Sequence, residues 1–168
     1  CRKISILASL VFGKQVDSEQ VYTEGITALT AQDMIYARHM RRRIKLLATA
    51  GEENGRVYAM VAPVMLNSEH PLYGVNDVIN GIMVRGNVIG SLMFTGAGAG
   101  KLPTASAVVA DMVEEARNQQ VTVMQRWSGE KLCLGDWRQM EKRFFVRLKG
   151  EGAERVREAE RAFGNCRT

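Results

Sequence analysis

The spacing of apolar residues along the chain predicts three helices in the first 118 residues. Residues 2–12 carry apolar side chains at helical spacing, which predicts an amphipathic helix. Thr30 can cap a second helix, with Asp33 at the third position of its first turn. A third helix is predicted over residues 104–118, directly after a glycine-rich segment.

Two pairs of apolar runs predict β-hairpins. Residues 45–50 and 56–64 are joined by the sequence EENG at 52–55, and Asn-Gly favours a tight hairpin because both residues tolerate positive φ. Residues 78–84 and 88–94 predict a second hairpin. Helices and hairpins in this order favour an α+β fold, a two-layer structure in which a mixed sheet is covered by helices.

The pattern weakens after the third predicted helix. Residues 119–141 have little periodicity and predict a linker or an irregular crossing. Residues 144–148 predict a strand and residues 151–163 a charged helix. These two elements either begin a small regulatory module or form an arm that packs back on the main domain. We therefore divide the chain into a domain over residues 1–118 and a C-terminal segment over residues 119–168.

Composition places the protein among ordinary globular chains, with 46% hydrophobic and 24% charged residues out of 168. Because no apolar run approaches the roughly 18 residues of a membrane span and no signal peptide begins the chain, we predict a cytoplasmic protein without a membrane partner. The cysteines Cys1, Cys133 and Cys166 are far apart and odd in number. They favour reduced thiols over a disulfide framework or a zinc site, so no metal is expected.

A net charge of +5 raises nucleic acid as a candidate partner. The densest basic run, RHMRRR at residues 38–43, falls where the second helix should end, and cations there complement the helix dipole. No aromatic residues interleave these arginines, and no nucleic-acid-binding motif accompanies them. A solvated helix end is therefore favoured over a phosphate-binding patch, and we expect no nucleic-acid partner.

The glycine-rich segment 94–104 (FTGAGAGKLPT) is the first place that could carry chemistry. A phosphate-binding P-loop would need glycine and Ser or Thr where Thr95 and Leu102 stand, and a G-x-G-x-x-G fingerprint would need glycine at Lys101. Both motifs are therefore excluded. An arbitrary loop of this kind is most often a flexible turn before a helix. Five alternating small residues at 96–100 nevertheless indicate close approach of the backbone to something flat or bulky.

Lys3 is the second candidate. On a helical wheel it lies within the apolar arc, in line with Leu7 and Leu10, while Ser5 and Ser9 lie on the other side. An amine in an apolar arc snorkels, pairs with a carboxylate, or acts chemically, and burial would suit it to proton transfer near neutral pH because it disfavours the charged form. Spacing alone favours the structural alternative, since a helix need not be formed at the chain start.

Three blocks of sequence resemble the bacterial homoserine dehydrogenases. They are RKISILA at residues 2–8, VYTEGI at 21–26 and GAGAGKLPTASAVVAD at 96–111. The blocks occur in the family's order and with similar spacing, the last being long and highly specific. The resemblance covers residues 1 to about 118. The remainder falls where many bacterial members carry an ACT-type regulatory domain, of which only an opening strand and helix would fit.

The resemblance implies a reaction and two site residues. Homoserine dehydrogenases interconvert homoserine and aspartate 4-semialdehyde with NAD or NADP, in the synthesis of threonine, methionine and isoleucine. The lysine of the family's Ala-Arg-Lys motif, here Lys3, is the general acid that protonates the carbonyl oxygen as hydride arrives. The last glycine of its Gly-Ala-Gly-Ala-Gly loop, here Gly100, lies by the nicotinamide. A small-molecule substrate and a homodimer formed through the sheet are also implied.

Departures from the family pattern matter as well. The substrate-binding Asp precedes the lysine by four residues in the family, a position before Cys1, where the family usually has a small Ala. The nucleotide-binding Rossmann domain and the first elements of the substrate domain would also precede Cys1. We therefore expect an N-terminally truncated substrate domain that neither binds NAD(P) tightly nor turns over alone. The preference between NAD and NADP is left open, because the Rossmann domain decides it.

The alternative is a ligand-binding regulatory or oligomerisation module without catalysis. A complete ACT-type module needs two βαβ-like halves, and residues 119–168 supply at most one. An oligomerisation role is compatible with the enzyme assignment, because the family's substrate domain also builds the dimer.

Overall fold

The structure, a computed structural model, describes residues 1–119, 121, 127–148 and 153–164. Its helices are α1 (Arg2–Phe12), α2 (Ala31–His39), α3 (Lys101–Arg117) and α4 (Ala153–Phe163). Its strands are β1 (Lys14–Gln15), β2 (Tyr22–Thr23), β3 (Arg43–Glu53), β4 (Arg56–Leu66), β5 (Ile79–Gly86), β6 (Gly90–Ala97) and β7 (Ser128–Lys131). The chain forms two compact units, Cys1–Trp137 and Arg138–Thr168.

A mixed three-stranded sheet, in the order β2-β4-β3, is the centre of the N-terminal unit. Strand β4 runs antiparallel to β3 and parallel to β2. The β3–β4 hairpin turns at Asn54 and Gly55, whose φ values are 53° and 74°, as the Asn-Gly sequence predicts for two residues in the left-handed region. Both strands extend further than predicted. The α+β class with a mixed sheet is confirmed.

Helix α1 packs on this sheet through small residues. Ile4 and Ala8 of the helix join a buried apolar cluster with Val21, Ala59 and Val61, and Phe12 lies partly buried against it. On the same buried face, the Ser9 hydroxyl donates to the Ser5 carbonyl at 2.8 Å and accepts from the Val16 N–H at 2.9 Å. Small side chains and internally bonded hydroxyls let the helix approach the sheet closely.

Strand β7 lies inside the segment for which a linker was predicted, and pairs in parallel with β1. After it, Leu132 and Leu134 pack on the apolar core, and Trp137 stacks on Tyr22 with ring centroids 4.0 Å apart. Residues 127–137 are therefore held on the sheet, although the polar sequence SGEK at 128–131 gives no apolar alternation by which to predict a strand.

An exposed ion pair joins β1 to β7. Lys14 Nζ lies 2.8 Å from Glu130 Oε2. The hydrogen bond and charge of Lys14 lower the pKa of Glu130, and the same contact raises the pKa of Lys14. The contribution of Glu130 is thus present above its unfolded pKa and is lost as pH falls through the lowered folded value. Because both side chains face water, this contribution is small.

The predicted strand at residues 144–148 is wrong. The structure shows no strand over these residues, although Phe144, Phe145, Val146 and Leu148 supply apolar side chains. A strand needs a partner, and none is present in the described part of the C-terminal unit. Helix α4 confirms the charged helix predicted next to it, whose first two residues lie outside the described part.

Hairpin β5–β6 and helix α3 expose apolar side chains. The hairpin pairs Ile79 with Ala97 and Gly86 with Gly90, and every α3 side chain except the half-buried Pro103 is exposed. Phe94 is 60% exposed and Met112 65% exposed. No helix in the described part of the chain is long and apolar enough to cross a membrane.

Candidate active site

The glycine segment forms the end of β6, a tight turn and the start of α3. Gly96 and Ala97 are the last residues of β6. The observed turn is therefore shorter than the glycine-rich loop at residues 96–100 that the sequence indicates. The Gly98 N–H extends the hairpin by donating to the Val78 carbonyl at 3.1 Å. Gly100 is the N-cap of α3 without a side-chain cap. The turn thus leads directly from a strand into a helix N-terminus, where backbone N–H groups lack partners within the helix.

Gly100 adopts a backbone conformation that requires glycine. Its φ is 115° and its ψ 159°, a region that residues with a Cβ essentially do not occupy. A Cβ there would meet only Pro103, at 3.5 Å from its Cδ. The requirement at Gly100 therefore comes from backbone strain and not from crowding.

Gly98 is constrained for a different reason, the side chain of Asn80. A Cβ built on Gly98 would overlap the side-chain amide of Asn80 and lie 3.2 Å from Asn80 Cβ, whereas a Cβ on Gly96 would meet nothing within 4 Å. Asn80 lies in β5 opposite Gly96. Sequence reasoning did not find Asn80, because its position against the turn depends on the hairpin register.

Gly98→Ala is expected to lower the free energy of unfolding by about 1–3 kcal/mol, since the new methyl overlaps Asn80. Chemical denaturation of the purified chain would measure this. Asn80→Gly should reduce the cost of Gly98→Ala, and Gly96→Ala should cost less than Gly98→Ala. Equal costs of Gly98→Ala with and without Asn80 would contradict the proposed contact.

Lys3 lies on the face of α1 opposite to the buried one. The buried face is formed by Ile4, Ser5, Ala8 and Ser9, whereas Lys3 is exposed. The apolar arc of the helical wheel around Lys3, Leu7 and Leu10 is therefore not the buried face of α1. Ser5 and Ser9 lie on the polar side of the helical wheel but are buried. Their burial is possible because both hydroxyls donate to main-chain carbonyls of the same helix.

The face that carries Lys3 is an apolar surface open to solvent. Leu7 and Leu10, one and two turns after Lys3, are 38% and 40% exposed. Gly100 begins α3, and Lys3 is not among the residues within 4 Å of a Cβ built on Gly100. The structure thus shows two separate features, an amine on an apolar helix face and a glycine turn at a helix N-terminus.

Comparison with known proteins identifies the family of the chain. The family model described as homoserine dehydrogenase matches residues 1–113. The chain belongs to the homoserine dehydrogenase family. The homoserine dehydrogenase of Synechocystis sp. is 47% identical over 115 residues, which are 66% of this chain and 27% of that protein. The chain therefore spans about a quarter of this relative's length.

Solved homoserine dehydrogenase structures share the fold. The enzyme from Thiobacillus denitrificans has a TM-score of 0.66 and 38% sequence identity, over 70% of this chain and 27% of that one. The S. aureus enzyme at pH 7.5 has a TM-score of 0.69 and 31% identity, over 99% of this chain and 42% of that one. The resemblance drawn from the three sequence blocks is confirmed, and the family is one of oxidoreductases.

The basic run at residues 38–43 ends α2 and begins β3. Helix α2 ends at His39 within the basic run, and Arg43 at the start of β3 lies with its guanidinium carbon 4.5 Å from the centroid of the Tyr73 ring. In the described part of the chain, no three His, Cys, Asp or Glu side chains are grouped as a metal site would require.

Proposed function

We propose that this chain is the substrate-binding part of a homoserine dehydrogenase. Together with a nucleotide-binding domain it interconverts L-homoserine and L-aspartate 4-semialdehyde, using NAD or NADP, in the cytoplasmic synthesis of threonine, methionine and isoleucine. The observation that carries the proposal is the geometry of residues 96–111, the longest family block. It forms a strand end, a turn that requires glycine at Gly100 and leaves no room for a side chain beside Asn80 at Gly98, and the first turns of α3.

The glycine turn fits a flat, bulky ligand such as a nicotinamide. The flank at Gly96 is open, and Gly100 has only Pro103 within 4 Å of where a Cβ would lie. No side chain of these glycines can block approach to the backbone. We assign Gly100 to the wall beside the nicotinamide ring, which supplies or accepts the hydride when the cofactor is bound.

We assign Lys3 as the proton donor. In the direction from aldehyde to alcohol, its ammonium group donates a proton to the carbonyl oxygen as hydride reaches the carbonyl carbon, and in the other direction its amine accepts that proton. The exposed position of Lys3 supports this role, because the amine can reach a substrate bound outside α1. The uncovered Leu7 and Leu10 on the same face favour closure of this site by a further part of the enzyme.

The exposed apolar hairpin favours a homodimer formed through the sheet. Ile82, Leu92 and Phe94 of β5 and β6 are 46%, 40% and 60% exposed, and contiguous apolar surface of this kind marks interaction sites. We expect sedimentation equilibrium to give twice the mass of one chain. Phe94→Glu should shift the protein toward the monomer, whereas Val88→Glu, in the hairpin turn, should not. A monomer without any substitution would contradict this assembly.

The second candidate is a module that binds a ligand or assembles without catalysis. It is favoured by a groove of about 340 Å³ on the C-terminal unit, lined by Leu148, Arg155, Glu158, Ala159, Ala162 and Phe163. The charged side chains of this groove pair with each other at 2.6 Å, so its free lining is mainly apolar. Because residues 127–137 are held on the sheet, we propose that the separate C-terminal segment begins after Trp137.

Turnover separates the two candidates. We define the hybrid enzyme as a fusion of two parts. The first is the segment of Synechocystis homoserine dehydrogenase that precedes the region similar to this chain, and the second is the 168-residue chain. We expect the hybrid enzyme to reduce NAD or NADP when homoserine is added. The 168-residue chain alone is expected to bind neither cofactor tightly and to show no turnover, and measurable homoserine oxidation by it would contradict this expectation.

A further inference from the structure

A basic pair on β3 holds the loop that leads into hairpin β5–β6. Lys45 Nζ donates to the Val75 carbonyl and, at 2.7 Å, to Asn76 Oδ1. Arg43 Nη1 reaches the Tyr73 carbonyl and Asn76 Oδ1, both at 3.5 Å. We call these five residues the β3 clamp. Lys45 is half-buried and makes the shorter contacts, so it is the main donor of the clamp.

The clamped loop is in direct contact with β5. The Asn76 carbonyl accepts from the N–H of Ile79, the first residue of β5, at 3.1 Å. A Cβ built on Gly81 would lie 2.8 Å from Leu72 Cδ2 and 3.0 Å from Val75 Cγ2. The loop side chains therefore rest on the strand where glycine leaves room for them, and a shift of the loop would move β5.

Strand β5 in turn positions the glycine turn. The Val78 carbonyl, just before β5, accepts from the Gly98 N–H at 3.1 Å. The Asn80 side chain occupies the space beside Gly98 that a Cβ would need. A continuous series of contacts thus runs from Lys45 through Val75 and Asn76 to β5, and from there to the turn that ends at Gly100.

We propose that Lys45 is a positioning residue for the glycine turn, which it holds in place through the loop at residues 73–76. This inference rests on the proposed function, because the turn is taken to be the wall beside the nicotinamide. Lys45 acts on the reaction only through the turn and contacts neither substrate nor cofactor. Its removal should weaken cofactor binding and leave the substrate side of the site intact.

Amide hydrogen exchange of the 168-residue chain tests the structural half. Lys45→Met removes the donor and keeps a long side chain, and loss of a charged hydrogen bond should speed exchange about tenfold at Gly98 and in β5. Lys45→Arg keeps donors and should stay near the unsubstituted rate. Lys14→Met, which removes an exposed ion pair on β1, is the control and should leave Gly98 unchanged. If Lys45→Met sped up amide exchange in β3 and β4 as much as at Gly98, the variant would have lost stability throughout. That result would overturn the proposal.

Steady-state kinetics of the hybrid enzyme tests the functional half. Lys45→Met should raise the KM for the cofactor by roughly tenfold. The KM for homoserine should change less than about twofold. Lys45→Arg should restore the cofactor KM of the unsubstituted hybrid enzyme. An unchanged cofactor KM would overturn the proposal. A hybrid enzyme that is inactive with Lys45 in place would instead contradict the proposed function, and hydrogen exchange would then still decide whether Lys45 holds the turn.

Discussion

Lys3→Met in the hybrid enzyme is expected to lower kcat by about 10²- to 10⁴-fold, the usual range for loss of a positioned general acid or base. The KM for the cofactor should change little, because Lys3 is assigned to the carbonyl oxygen of the substrate and not to the cofactor. Initial rates of the change in nucleotide absorbance, at saturating homoserine and cofactor, give kcat. Methionine keeps a side chain of similar length and removes the amine.

Two further variants separate proton transfer from a structural effect at Lys3. Lys131→Met changes another exposed lysine of the same unit, and we expect it to retain full activity. Lys3→Ala should recover part of its kcat when ammonium or methylamine is added, because a free amine can then enter the space of the missing one. A Lys3→Met enzyme with more than a third of the original kcat would rule out the assigned role.

Gly100→Ala is expected to reduce kcat/KM for the cofactor by roughly 10- to 100-fold. A residue with a Cβ at φ 115° and ψ 159° costs about 1–3 kcal/mol, and the turn can avoid this cost only by changing shape. A changed turn would no longer offer its backbone to the nicotinamide. Initial rates of the hybrid enzyme, measured over a range of cofactor concentrations, give kcat/KM for the cofactor.

The control for Gly100→Ala is Gly129→Ala in β7. A Cβ at Gly129 would meet nothing within 4 Å, and its φ lies outside the strained range, so cofactor kinetics should be unchanged. Thermal unfolding of both variants shows whether Gly100→Ala acts locally. If Gly100→Ala bound the cofactor as well as the original enzyme, the assignment of Gly100 to the nicotinamide wall would be wrong.

Local signals made much of the fold predictable from the sequence. Helix α1 follows from its apolar spacing, the N-terminus of α2 from the Thr30–Asp33 capping box, and the β3–β4 turn from Asn54-Gly55. Each of these depends on residues close together in the chain. Lys3 and Gly100 were assigned only through the family blocks, and their roles remain predictions.

Features that depend on distant residues could not be predicted in the same way. Strand β7 exists because β1 offers it a partner 114 residues away, counted from Lys14 to Ser128 in the parallel register. The contact of Asn80 with Gly98 follows from hairpin register, and the Lys45 contacts from the packing of a loop on β3. The buried face of α1 differs from the apolar arc of the helical wheel. Ser5 and Ser9 can be buried because their hydroxyls donate hydrogen bonds to main-chain carbonyls within the helix.

The most direct test of the account is homoserine-dependent reduction of NAD or NADP by the hybrid enzyme, compared with the 168-residue chain alone under the same conditions. We predict turnover by the hybrid enzyme, loss of that turnover in its Lys3→Met variant, and none by the chain alone. A correctly folded hybrid enzyme that binds cofactor but does not oxidise homoserine would contradict the assignment of this chain as the substrate-binding part of a homoserine dehydrogenase.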